Sequence, residues 1–371
     1  MFRLSSLLWL LAGMMTCAGA VEKAPNTVVD LSTLMDMDAL IDQVADKRVV
    51  YVGESHDQYQ HHLNQLALIK GLHARHPELA IGLEFFFQPF QPVLDRYIAG
   101  EIGEAELLRE TEYFNRWRFD YRLYRPIFSY AREQGIPLLA LNLEREITEQ
   151  VGREGMQDLS EEQKARLPAE IDRDNAAYVE RIRSVFDHHP PREGREFENF
   201  LQVQLLWDES MAERVADWLQ AHADGHMVVL AGVGHLMYRQ GIPDRVERRV
   251  PVSSAVILNV NQTDGMDREV ADYLVVAPGN DLPPAGKLGV FLDLQDSPPR
   301  VSGFDETSGA AKAGVKSGDR VISIDGNSIS NYADIRIALL DKLAGEAVEV
   351  EVERERLLLG TLRKKFTVTL N

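Results

Sequence analysis

Five stretches of the chain are predominantly apolar: Arg48–Glu54, Ala80–Phe86, Pro137–Leu143, Met227–Gly232 and Ser254–Val260. Each is rich in Val, Ile, Leu and Phe and is bounded by polar residues or glycine. Continuous rather than alternating apolarity is the pattern of a strand covered on both faces. Between these runs the spacing changes to three and four residues. Leu63, Leu66, Ile69 and Leu72 follow the first run, and Leu201, Leu205, Val215 and Leu219 precede the fourth. Both sets predict helices with one buried stripe. Strand and helix in alternation predict an α/β fold with a mostly parallel sheet flanked by helices.

Two stretches depart from that rhythm. Gly152 to Glu198 is highly charged and sparse in apolar residues, which predicts surface helices in an excursion or lid, broken at Pro190-Pro191. Thr263 to Lys287 gathers Pro278, Gly279, Pro283, Pro284 and Gly286, as a linker or opening loop does. After it come short strands at Gly289–Leu292, Arg320–Ile324, Ala347–Val352 and Lys365–Leu370. From Glu346 to Glu353 acidic residues alternate with Val, the signature of a strand with one wet face. The expected organisation is a leader at 1–20, an α/β domain at 21–265, a linker at 266–280 and a small, mainly β domain at 281–371.

The leader rests on Arg3, the apolar core Leu7–Met15 and the small-residue site Ala18-Gly19-Ala20. Together these form an export signal. Cys17 is the only cysteine, so no internal disulfide forms. Its place after the apolar core leaves two outcomes open: a lipid on Cys17 that tethers the protein in the periplasm or at the outer membrane, or cleavage after Ala20 that discards it. At 371 residues and a net charge of −18 the chain does not suit nucleic acid, whose phosphates require clustered Lys and Arg.

Ligands of an open parallel sheet bind beyond the carboxyl ends of its strands. At those ends the sequence places Glu54 and His56, then Glu84, then Asn142 and Glu144, then His235. Glu84 lies between Leu83 and Phe85, and a carboxylate buried there needs a partner. His235 follows Gly232 and Gly234, which allow close backbone approach. Glu54, His56, Glu84 and His235 are therefore the candidate catalytic set if the protein is an enzyme. Two chemistries remain open. His56, Glu84 and His235 could ligate a divalent metal such as zinc, or a His paired with a Glu could activate water as a general base. No G-x-S-x-G, H-E-x-x-H, P-loop or dinucleotide fingerprint is present.

A second signal is the aromatic run from Tyr113 to Tyr130, in which Trp117, Tyr121 and Tyr124 would share one helical face. It reads either as packing against the sheet or as the wall of a flat apolar ligand, with a tyrosine hydroxyl available to iron. Arg116, Arg118, Arg122 and Arg125 could then pair with ligand carboxylates.

"VYVGESHDQYQHHLNQLALIKGL", "IGLEFF", "RFDYRLYRPIFSYAREQGIPLLALNLERE" and "VVLAGVGHLMYRQGIPDRV" resemble the ChaN family of haem-uptake proteins, itself similar in fold to erythromycin esterases and TIKI/TraB proteins. The resemblance implies an exported bacterial protein that binds haem in iron uptake, between two copies in a homodimer, with a tyrosine on the iron. Tyr121, Tyr124 and Tyr238, with Trp117 beside them, are the candidates for cofactor binding. The stretch from about Asp281 to Asn371 resembles an HtrA-type PDZ domain, carried by "AGKLGV" and "SGAAKAGVKSGDRVISIDGNSISNYADIRIAL". That resemblance implies capture of a peptide or protein C-terminus, with Leu288, Gly289 and Val290 receiving the carboxylate and Phe291 opening the pairing strand. Haem binding is the leading reading. The alternative is a metal- or base-assisted hydrolase, such as a protease fed by the PDZ domain, which accounts more directly for the Glu/His set.

Overall fold

The computed structural model describes residues 31–188, 196–262, 267–356 and 360–371. The expected leader, Cys17 and Pro190-Pro191 lie outside those residues. The first sheet has six parallel strands: β1 (Val49–Glu54), β2 (Leu79–Phe87), β3 (Leu138–Asn142), β4 (His226–Gly232), β5 (Ser254–Val260) and β6 (Tyr273–Val276), in the order β3-β2-β4-β1-β5-β6. The continuous apolar runs are explained by two separate cores. On β1, Val50 and Val52 enter one core and Val49 and Tyr51 the other, because successive side chains of a strand point to opposite faces. The first core is closed by the helices Tyr59–His73, Gln91–Ile98 and Arg125–Gln134, and the second by Phe197–Ala221 and Ile242–Arg249.

The five expected strands fall within one or two residues of those observed. The stretch read as a linker is corrected: it contains β6, which extends the sheet beside β5. The single aromatic helix is also corrected. A short helix, Tyr113–Arg116, stops before Trp117, and a separate turn, Tyr121–Leu123, begins after Asp120 accepts a bond from the Arg122 N–H. Arg118 between them takes a left-handed φ of 73°, which no helix continues through.

The second sheet is β7 (Val290–Asp293), β8 (Arg300–Phe304), β9 (Arg320–Ile324), β10 (Asn327–Ser328), β11 (Ala347–Arg356) and β12 (Gly360–Thr369). Its order is β12-β11-β9-β8-β7, with β10 on β9, and the pairings are antiparallel. β7 is an edge strand. The helix Tyr332–Ala338 serves both domains: Ile335 packs in the second domain's core, while Ala333, Ile337 and Leu340 pack against the first. Arg109 pairs with Asp334 at 2.9 Å, Arg125 pairs with Asp341, and the Arg336 guanidinium lies 4.7 Å from the Phe114 ring centre.

Candidate functional site

The carboxyl ends of β2, β4 and β1 are neighbours, and they bring together the four side chains expected there. Glu54 ends β1 almost completely buried. Its Oε1 is 2.8 Å from His56 Nδ1, and its Oε2 is 2.9 Å from Nε2 of the equally buried His62. Glu84 sits where the β2–β3 register shifts between Leu83 and Phe87, so the strand turns the carboxylate onto the rim. Its Oε2 accepts the Gly232 N–H at 2.5 Å and its Oε1 lies 3.3 Å from His235 Nε2. His235 Nδ1 meets Asp208 Oδ1 at 2.6 Å, and the other Asp208 oxygen accepts the Tyr178 hydroxyl at 2.7 Å.

These contacts set the charges. Burial works to raise the Glu54 carboxyl, but the charge of His62 and the His56 bond outweigh it and bring it down to about 2. Burial works to lower His235, but Glu84 and Asp208 on its two sides raise it to about 10. His56 is also raised: burial opposes its charge, and the Glu54 hydrogen bond and the Glu84 charge prevail. The site is two linked carboxylate–imidazole pairs, with His235 held as an imidazolium.

A cavity of about 580 Å³ opens over them. His56, Glu84, Asn142 and His235 form its polar floor, and Phe87, Trp117, Phe119, Phe200 and Trp207 are among its aromatic walls. Trp117 and Phe119 pack on the His56 ring with centroids at 4.7 and 5.0 Å. Asn142 Nδ2 donates to the Glu84 carbonyl at 3.1 Å, while its Oδ1 is buried with no partner among the described residues. Gly152, the first residue of the expected excursion, and Glu196, two residues before its last, line the cavity.

Not every expected residue takes the expected place. The reading of His56, Glu84 and His235 as a zinc site finds no support: among the described residues no three His, Cys, Asp or Glu side chains are placed to hold an ion. Both nitrogens of His235 already face carboxylates, which leaves neither free for an ion. Tyr121 and Tyr124 do not line the cavity. Both are wholly buried, and that burial pushes their hydroxyls well above the ordinary value, away from the phenolate that binds iron. Tyr124 stands behind the site instead, receiving the Trp117 indole N–H at 3.1 Å and donating to Glu54 at 3.3 Å. Tyr238 is turned away, its hydroxyl on Asp267 at 3.2 Å. Of the expected cofactor residues, Trp117 alone lines the cavity. Glu144 pairs with Arg166 rather than joining the set.

Asp208 and His62 were not anticipated. His62 lies in the quoted first motif, on the first turn of its helix. Asp208 and Glu209 interrupt the apolar face of Phe197–Ala221 while fully buried, and that interruption is the signal that could have found them.

In the second domain Leu288, Gly289 and Val290 line a groove of about 420 Å³, whose other wall is Ile335 and Leu339. Phe291 projects outward, 59% exposed.

Comparison with known proteins agrees with both halves. Residues 40–246, more than half of the chain, match the model of a family described as haem-binding uptake, Tiki superfamily, ChaN. Residues 286–370 match a PDZ domain. A solved structure of ChaN from Campylobacter jejuni with cofacial haem is 18% identical and superposes with a TM-score of 0.53, over 66% of this chain and 93% of that one. A mutant of the erythromycin esterase EreC, solved in its open conformation, is more distant: 17% identity over 60% of this chain and 72% of that one, with a TM-score of 0.38. Protein RETICULATA-RELATED 5, chloroplastic, from Arabidopsis thaliana is 24% identical over 63% of this chain. The match spans about a third, 34%, of that relative's length.

Proposed function

The chain belongs to the ChaN family of haem-binding uptake proteins, and from that premise we propose that it binds haem in the cavity above β1, β2 and β4, with His56 as the iron ligand. The observation that carries this reading is the state of His56. Glu54 holds one ring nitrogen, and Nε2 has no hydrogen-bond partner among the described residues on a ring that faces the cavity. A carboxylate on the far nitrogen fixes the tautomer and orientation of a ligating imidazole. The cavity volume is within the range of cofactor sites, and its aromatic walls suit a flat apolar macrocycle. Arg116 and Arg145, also on its wall, now pair with Glu112, Glu146 and Glu149 and would exchange or share those partners to meet the macrocycle's carboxylates. Haem would supply the iron; the chain's own groups bind it, orient His56 and exclude water. The leader pattern supports an exported protein, and the PDZ domain supports capture of a peptide or protein C-terminus, so that a haem carrier is placed beside a partner.

A second reading is base-assisted hydrolysis, favoured by His235 standing as an imidazolium opposite the Glu54–His56 pair. His56 would take a proton from water, and the positive charge of His235, whose two N–H groups stay on Glu84 and Asp208, would offset developing negative charge.

A haemin titration of the protein from Val21 onward, followed by absorbance, tests the proposal. A saturable Soret shift is expected, weakened at least about tenfold in His56→Ala, the loss of one iron–ligand contact. Replacement of Tyr121, Tyr124 or Tyr238 by Phe is expected to leave it in place. The stoichiometry reports whether a second copy shares the haem. No saturable shift, with hydrolysis of a chromogenic ester that His56→Ala abolishes, would replace haem carriage by the second reading.

A further inference from the structure

The groove of the second domain is not built from that domain alone. Arg118, Asp120 and Arg122, from the loop that follows the Tyr113–Arg116 helix, line it together with Leu288, Gly289 and Ile335. The charges on its wall run against the rest of the molecule. The chain carries 58 acidic residues against 40 Lys and Arg, yet the groove is lined by Arg118, Arg122, Lys287 and Arg336 against Asp120 and Asp305. Both of those carboxylates are already bonded. Asp120 holds the Arg122 guanidinium at 2.7 Å, and Asp305 accepts from Thr307 N–H at 2.8 Å and from Asn371 at 3.3 Å. Arg118 and Lys287 have no ion-pair partner among the described residues. Arg336 donates to the Tyr332 hydroxyl at 3.1 Å and lies over the Phe114 ring, with no carboxylate at ion-pair distance among the described residues. Unpaired cations beside an edge strand are complementary to a bound strand that carries its own carboxylates.

We propose that this composite groove selects C-terminal peptides that are acidic upstream of their last residue, with Arg118 of the haem-binding domain as the reader of that charge. The inference rests on the reading of the groove as a receiver of peptide ends, and adds to it which peptides are taken. β7 offers the unpaired backbone row of an edge strand, Leu288, Ile335 and Leu339 offer apolar contact for the terminal side chain, and the opposite domain supplies the positive rim. A groove read from this domain alone would lack Arg118 and Arg122 and lose most of the charge preference.

The test uses the full chain and three sets of fluorescent ten-residue peptides with a free carboxyl end and a terminal Val. Upstream positions are drawn from Ala, Ser and Gly with Glu, with Gln or with Lys. The Glu set is expected to bind about fivefold or more tighter than the Gln set at low salt, the Lys set weakest, and the preference to shrink with added salt, as for exposed charge pairs. Arg118→Glu is expected to remove or invert the ranking, and Arg118→Lys to keep it. Arg118 is exposed and unpaired, so its replacement leaves the fold intact, which an unchanged melting temperature checks. Equal binding of the Glu and Gln sets, with binding lost on amidation of the carboxyl end, overturns the charge inference while the end-binding reading stands. Binding indifferent to amidation, or none in any set, overturns the end-binding reading and the inference with it.

Discussion

His235 lies between Glu84 and Asp208, and this position dictates how the fold responds to pH. An imidazole in the unfolded chain has an ordinary value near 6.5, whereas in the fold it is raised to about 10 by its two carboxylates, against the opposing pull of burial. A raised folded value means the folded state holds a proton that the unfolded state releases. The stabilisation is therefore complete below about 6.5 and is lost progressively as pH rises toward 10, with a slope of at most about 1.4 kcal/mol per pH unit. Thermal melts from pH 6 to 10 should show the native protein losing stability more steeply than His235→Gln, which has no proton to lose. Parallel curves would mean that His235 is not held charged. Glu54 works in the other direction: its lowered value gives stability that is present above about 4.3 and is lost as pH falls toward 2. At this scale the sequence was informative where a polar group broke an apolar strand, as Glu54 and Glu84 do. It left Asp208 unnoticed, because the only signal is a break in the apolar face of a long helix, and which face is buried becomes clear only in the fold. It misled on Tyr121 and Tyr124, because iron-binding capacity belongs to any tyrosine, whereas burial that keeps the hydroxyl protonated is a property of the fold.

The end of β4 is where an element's shape and the site's geometry meet. Gly232 donates its N–H to Glu84, and a Cβ at this position would stand 3.0 Å from His56 Cε1 and 3.2 Å from Nε2. That is tighter than ordinary contact, and the His56 ring cannot retreat freely because Glu54 holds its other side. Gly232→Ala should therefore displace the ring by a few tenths of an ångström. The expected cost is on the order of 1 kcal/mol in haemin binding, roughly fivefold, with the melting temperature changed by no more than a few degrees. A titration of Gly232→Ala that matches the native protein would show that the ring has room and that the glycine serves only strand packing. The strands around this point were legible because both faces of the sheet are covered, so apolarity is continuous over β1, β2, β3, β4 and β5. β6 was not: it has four residues, lies at the edge and is only partly buried, so it carries no run to notice. β8 was missed for a related reason, since Gly303 and Ser302 interrupt Arg300–Phe304. The aromatic segment was read as one helix from spacing alone, which does not register a residue such as Arg118 at positive φ.

Across the whole molecule the loop from Trp117 to Arg122 divides its side chains between two ligand sites. Trp117 and Phe119 face the cavity and pack on His56, whereas Arg118, Asp120 and Arg122 face the groove of the second domain. Neither half of the sequence discloses this, because motif and spacing describe each domain separately and the shared helix Tyr332–Ala338 is what sets one against the other. A peptide held by Arg118 constrains the backbone that carries Trp117 and Phe119, and haem against those rings constrains the backbone that carries Arg118. If each ligand alters the loop's equilibrium, each must change the other's affinity by the same factor, since coupling free energy is reciprocal. Couplings of this kind are typically about 5- to 150-fold. The measurement is a closed cycle: haemin affinity with and without a saturating acidic C-terminal peptide, then peptide affinity with and without saturating haemin. Equal factors different from one are expected, collapsing to one in Arg118→Glu, where the peptide no longer grips the loop. Factors of one in the native protein would mean that the loop is a rigid wall, serving two sites without connecting them.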